Sequence, residues 1–223
     1  MIRQLALILR RDIAVLLLGR GGAGRGGGSA LPILFFLAVA MLFPFAVGPS
    51  ATVLAQVGGG VIWVAALLAA ILPLDRLIEP DIELGCFDQW ALRGIAEEWI
   101  IVSRILAHWL SFAPALMLAT LPASVLLGLN GTTLRLVELG LLVGTPGLAA
   151  IGVMIAAITA GLRGGAALAG LLMIPLAVPL LIFGAGSLSS GGSTGIALTA
   201  AVSLVLLAMA PFAGGAAVRA GRW

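Results

Sequence analysis

From Gly26 to Leu74, and again from Gly164 to Val218, the chain carries no charged side chain. A helix needs about 20 predominantly apolar residues to cross the hydrocarbon core of a bilayer. Each run is therefore long enough for two crossings. No soluble fold absorbs such runs, because a soluble domain carries about 25% charged residues to cover its surface. Here 9% of residues are charged, 61% are hydrophobic and the mean hydropathy is +1.22. The apolar content excludes intrinsic disorder. The single cysteine, Cys86, excludes a disulfide scaffold.

Punctuation divides the runs. Gly48-Pro49-Ser50 splits the first into spans 31–47 and 57–74. Pro44 and the Gly58-Gly59-Gly60 mouth of the second span weaken the helices, as membrane helices tolerate where neighbours satisfy the backbone. A third span, 105–127, ends before the turn Leu129-Asn130-Gly131-Thr132, and a fourth covers 136–158. After Arg163, the Gly, Ser and Thr stretch 184–195 separates spans 166–183 and 196–217. The expected fold is all-α and integral to a membrane, with six spans.

Orientation follows from the basic residues. With six spans, eleven of the twelve arginines fall on one side and only Arg135 on the other. The positive-inside rule then places both termini in the cytoplasm. Trp99 and Trp109 bracket the inner end of span three, as interfacial tryptophans do. All twelve basic residues are arginine; there is no lysine. A P-loop needs a lysine to reach the β and γ phosphates, and protein kinases and Schiff-base enzymes need one too. The chain is expected to be no enzyme. Any ATPase that drives it is a separate chain.

The N-terminal segment alternates at helical spacing. Ile2, Leu5, Leu9, Ile13 and Leu16 form an apolar stripe, and Arg3, Gln4, Arg10, Arg11 and Asp12 lie opposite. This reads as an interfacial helix on the inner leaflet, joined by a Gly-rich connector, the two covering 1–30. A signal peptide with Ile13–Leu18 as its core is the alternative, but arginines follow that core instead of a cleavage site. Gly22-Ala23-Gly24-Arg25-Gly26-Gly27 matches G-x-G-x-x-G, yet no βαβ unit follows, so it reads as connector and not as a dinucleotide site.

Segment 75–98 is the most informative. It holds seven of the nine acidic residues: Asp75, Glu79, Asp81, Glu83, Asp88, Glu97 and Glu98. Leu84, Phe87, Ala91 and Ile95 fall on one helical face, and Pro80 followed by acids suits a helix start. One short amphipathic helix is expected between spans two and three. A solvated helix resting on lipid is the bland reading. An anionic inner leaflet attracts bases and not acids, so a protein partner fits acids beside Phe87 and Trp90 better.

His108, at the inner end of span three, could ligate haem iron or carry a proton. Its bland reading is an interfacial histidine paired with a carbonyl beside Trp109. Ser111 at i+3 is not presented as an activated nucleophile. Arg135 and Glu138 suit a local ion pair. Gly140 and Gly144 license close helix packing. Pro175 and Pro179 imply a kink or an unwound turn in span five. Cys86 has no partner, there is no Cys-x-x-Cys-His, and no metal site is expected.

Several stretches in order carry a resemblance: Phe43-Pro44-Phe45-Ala46-Val47-Gly48-Pro49, Gly60-Val61-Ile62-Trp63-Val64-Ala65-Ala66-Leu67-Leu68, Asp75-Arg76-Leu77, Ala107-His108-Trp109, Gly144-Thr145-Pro146, Gly161-Leu162-Arg163-Gly164-Gly165, Ile174-Pro175-Leu176 and Pro179-Leu180-Leu181-Ile182-Phe183. Together they make the chain similar to the CcmB family of haem exporter proteins over nearly its whole length. The resemblance implies one ABC-transporter-type membrane domain, 1–223, in the bacterial inner membrane. It implies a cytoplasmic ATPase partner, further haem-handling membrane subunits and, indirectly, a periplasmic haem chaperone, with lipid around the spans and no nucleic acid. It makes 75–98 the coupling element, with Glu79, Asp81, Glu83, Phe87, Asp88, Trp90 and Arg93 toward the ATPase. Haem is implied as substrate, not as a stably bound cofactor, with His108 as the candidate ligand; ATP enters only through the partner. Three functions stay open: haem passage through the spans, ATP-driven release of the haem-loaded chaperone, and export of a lipid or small molecule unrelated to haem.

Overall fold

The computed structural model describes residues 2–18, 28, 30–48, 50–188 and 192–221. The Gly22–Gly27 motif lies outside them. The described residues form α1 (Ile2–Leu18), α2 (Ala30–Val47), α3 (Ala51–Ile71), a 3-10 turn (Leu74–Arg76), α4 (Glu79–Glu83), α5 (Cys86–Leu92), α6 (Glu97–Leu126), α7 (Gly131–Thr159), α8 (Gly165–Gly186) and α9 (Gly192–Ala220), with no strand. Six helical segments, at the places of the six expected spans, are long and apolar enough to cross a membrane.

The helix ends differ from the charge-run reading, and the reason is physical. α6 begins at Glu97 and not at 105, and it runs through Glu98 and Arg104. Those charges do not end the helix because each meets an opposite charge on another element. α7 begins at Gly131 because the Asn130 side chain accepts from the Thr133 N–H at 2.8 Å, satisfying one of the orphan donors of a helix start. α8 stays helical through Pro175 and Pro179, so no unwound turn separates them.

α7 is the central helix, packed on α3, α6, α8 and α9. Its small residues permit this. A Cβ at Gly147 would sit 3.0 Å from the Ser203 Cα of α9. Gly58 and Gly59, expected at the mouth of a span, lie within α3. There they let Leu127, Leu129 and Leu188 close over the helix. α2, α8 and α9 are largely exposed, presenting side chains such as Leu34, Phe45, Leu171 and Phe212. Only hydrocarbon or another protein can cover such a surface.

Gly140 and Gly144 do more than bring helices together. Trp63 of α3 is fully buried. Its six-membered ring lies where side chains at Gly140 and Gly144 of α7 and at Gly184 of α8 would stand. A Cβ at Gly144 would come within 2.5 Å of the ring, and one at Gly140 within 3.1 Å. The three glycines form a slot for one indole. Gly144→Val should cost about 1–3 kcal/mol by overpacking, read as a lower melting temperature of the detergent-purified chain. Trp63→Phe should recover part of that loss in Gly144→Val, because it removes the ring that collides.

Candidate functional site

The segment after α3 turns back against the arginine-rich end of the bundle. Leu74, Leu77, Ile78, Phe87 and Ile95 are buried there and hold the 3-10 turn, α4 and α5 against the spans. The expected single amphipathic helix is two short ones. Gly85 adopts φ +65 between them, and Gly94 at φ +71 ends the second. A left-handed residue breaks the i, i+3, i+4 register, so Leu84 leaves the face that Phe87 occupies.

Beneath this segment four charges meet. Arg11 of α1 donates through Nη2 to both oxygens of Asp81 of α4, at 2.6 and 2.5 Å. Arg104 of α6 donates to Asp81 Oδ2 as well. The same guanidinium lies 3.4 Å from Asp12 Oδ1 of α1, and Arg11 Nε lies 3.3 Å from that oxygen. Two cations and two anions balance. Asp12, Asp81 and Arg104 are buried, and Arg11 is half-buried under the Trp90 ring, 5.3 Å from its centroid. That distance suits a cation–π contact. Phe87 packs edge-on to Trp90 with ring centroids 5.2 Å apart. Burial pushes the Asp12 carboxyl above the usual carboxylate range, against the pull of Arg104 and Arg11.

The N-terminal helix is thus turned differently from the expected interfacial one. Ile8, Asp12 and Leu16, spaced i, i+4, i+8, form its buried face, and α1 packs on α6. Arg3, Gln4 and Arg10 are exposed, as expected; Asp12 is not. At the far side of the α6 start, Arg219 of α9 donates to Glu97 at 3.1 Å and to Glu98 at 2.5 Å.

The residues read as a docking set divide. Asp81, Phe87 and Trp90 are turned into the protein, Glu79 is half-buried, and Glu83, Asp88 and Arg93 are exposed. Leu84 and Leu92 join the exposed side, 71% and 89% accessible. Periodicity hid Leu84 by assigning it to the apolar face. Its neighbour Gly85 was the signal that the face is broken.

His108 lies one turn beyond Arg104, about 6 Å further along α6 at 1.5 Å per residue. It is fully buried, and among the described residues neither ring nitrogen has a hydrogen-bond partner. The expected carbonyl pairing is not found. Phe112 stacks at a tilt, 4.9 Å away, and a Cβ at Gly152 of α7 would lie 3.4 Å from Nε2. Ser111 donates its hydroxyl to the His108 carbonyl at 2.7 Å, an ordinary helical back-bond. Two apolar clefts lie near the spans. One, of about 340 Å³, runs between α6, α7 and α9 along Val102, Ile105, Leu106, Trp109, Pro146 and Leu207. The other, of about 380 Å³, lies between α2, α3 and α8 and reaches Trp63. His108 lines neither.

The sequence model of the family described as CcmB protein matches residues 3–221. The chain belongs to the CcmB family. It is 41% identical to Heme exporter protein B of Paracoccus denitrificans over 199 residues, 87% of this chain and 91% of that one. It is 40% identical to the Rhodobacter capsulatus protein of the same name over the same shares. The Heme exporter protein B of Bradyrhizobium diazoefficiens is 38% identical over 225 residues, 97% of this chain and 98% of its own.

Several of the stretches that carry the CcmB resemblance hold packing or turn points in the structure. Gly60–Leu68 holds Trp63 and much of the buried face of α3. Asp75-Arg76-Leu77 forms the 3-10 turn and its buried exit. Trp109 donates from its indole to Thr145 Oγ1 at 3.0 Å, which ties Ala107-His108-Trp109 to Gly144-Thr145-Pro146. Gly161 and Gly164, at φ +77 and φ +75, turn the chain from α7 into α8. At the other end of the bundle no ion pair joins Arg135 to Glu138 among the described residues, contrary to expectation; Glu138 Oε1 is buried without a hydrogen bond.

Removing one member of a buried charge group leaves the rest uncompensated, at a cost of about 3–5 kcal/mol. Arg104→Ala is expected to reach that range, measured as the loss of folded chain on heating in detergent. Arg219→Ala, at a pair open to solvent, should cost much less, because screening and side-chain entropy consume most of the attraction.

Proposed function

We propose that this chain is the membrane subunit of a haem export complex in the bacterial inner membrane, with both termini and segment 75–98 on the cytoplasmic side. A separate ATPase docks on the exposed side of that segment, through Glu83, Leu84, Asp88, Leu92 and Arg93, with Glu79 at its edge. The observation that carries this reading is the surface itself. Acids and two bare leucines stand together on short helices, and an ion cluster anchors those helices to α6. Exposed leucines among acids suit a basic, partly apolar protein groove better than an anionic leaflet. The lack of lysine leaves ATP binding to another chain. The haem link rests on the names of the relatives.

Within haem export, the packing favours a mechanical role over ligation by this chain. An imidazole sealed between Phe112 and Gly152 offers no open edge to haem iron. Movement of the spans would then drive release of the haem-loaded chaperone from a neighbouring subunit.

Affinity purification from mild detergent should recover an ATPase and haem-handling membrane subunits; recovery of neither overturns the class. Glu83→Lys with Asp88→Lys should lower ATPase recovery about tenfold or more, since like charges facing a basic groove cost several kcal/mol. Those variants should block chaperone release while haem loading continues. His108→Leu should leave the haem titration of the purified complex, followed at the Soret band, unchanged. A lost Soret shift in that variant would return His108 to the role of ligand.

A further inference from the structure

We propose that α1 is a positioning element of the coupling unit: Asp12 and Arg11 lock α4 and α5 to Arg104 of α6, so that the docking segment and α6 move as one body. The proposal rests on reading 75–98 as the docking segment.

Three observations carry it. First, α1 has its buried face on α6, and Asp12 lies in that face, fully buried between Ile8 and Leu16. A helix that only rested on lipid would have no use for a buried carboxylate, which is costly unless paired. Second, the pairing is shared. Asp81 takes both Arg11 and Arg104, while Asp12 faces both of the same guanidiniums. α4 and α6 cannot separate without parting Asp81 from Arg104, and Arg11 and Asp12 of α1 bridge the two. Third, the two sides of the segment carry different residues. Glu83, Leu84 and Leu92 face outward, whereas Asp81 and Trp90 on the same short helices face in. Docking and transmission are therefore divided between two sides of one segment, and α1 serves only the second.

Geometry also supplies the reporter. Cys86 is the sole cysteine of the chain, half-buried at the start of α5 beside Arg11 and Asp81. Its reaction with a membrane-permeant maleimide reads whether α5 is held down. The experiment uses the complex in inverted membrane vesicles, with mass-tag detection on the affinity-tagged chain. Asp12→Asn is expected to raise the Cys86 labelling rate about tenfold by freeing the segment. ATPase recovery should stay within twofold of the unaltered complex, and haem-chaperone output should be lost. Asp12→Asn with Arg104→Gln leaves the neutral pair Arg11–Asp81. Its labelling should lie nearer the unaltered rate than the sum of the two single effects, the mark of direct coupling.

Unchanged labelling in Asp12→Asn, or strictly additive effects in the double variant, overturns the lock. Loss of ATPase recovery in Asp12→Asn overturns the division between docking and transmission. If the unaltered chain recovers no ATPase, the docking reading fails by itself, and the labelling still decides whether α1 holds α5.

Discussion

Four charges, three of them buried and Arg11 half-buried, meet at one end of the bundle and set the arrangement of the elements around them. A lone buried guanidinium or carboxylate costs several kcal/mol, and mutual attraction offsets that cost only when the geometry brings the partners together. Here the partners come from α1, α4 and α6, three elements far apart in sequence. Arg11 and Asp12 cancel within α1 and Asp81 cancels Arg104, but each carboxylate faces both guanidiniums only when all three elements are in place. The cluster therefore acts on register. It fixes how far α1 slides along α6 and which way α4 faces, and it explains why α6 can begin well before its apolar run does.

The spans were legible because a bilayer imposes a length and a polarity that local sequence must meet. The ends of the helices were less so. Charge runs were read as boundaries, yet Glu97, Glu98 and Arg104 sit inside α6 because their partners lie on α9, α4 and α1. Asp12 shows the same blindness at one residue. Its spacing to Ile8 and Leu16 was visible, but a carboxylate is assigned to water by default, and its guanidinium partner on α6 lies most of a hundred positions away. Gly140 and Gly144 were rightly read as a place of close approach. That the approaching group is an indole from α3, with Gly184 of α8 closing the slot, depends on tertiary packing that no local pattern records.

The candidate site divides in the same way. Its acidic composition and its place between spans two and three could be read directly. Which residues point outward could not, because that depended on a backbone break at Gly85. One left-handed residue turned Leu84 out while Phe87 and Trp90 stayed in. The aromatic residues that looked like docking anchors are the packing beneath the exposed acidic surface. Trp90 covers the half-buried guanidinium of Arg11 and so shields the ion cluster from solvent.

The start of α6 is held by two ionic joints of unequal burial. On one side is the buried cluster, whose opening strands charges in a medium that cannot solvate them. On the other is Arg219 with Glu97 and Glu98, where the arginine is 45% exposed and water can replace the lost partner. The buried joint ties α6 to α1 and α4, and the open joint ties α6 to α9. The apolar cleft along Val102, Ile105, Leu106 and Leu207 lies on that same seam. The residues of α6 and α9 along it, Val102, Ile105, Leu106 and Leu207, are apolar, so among the described residues the polar contact between these helices is the Arg219 joint at the end of the seam. Unequal joints on either side of one helix thus put the contact that water can most easily replace, and the apolar cleft, on the same α6–α9 seam.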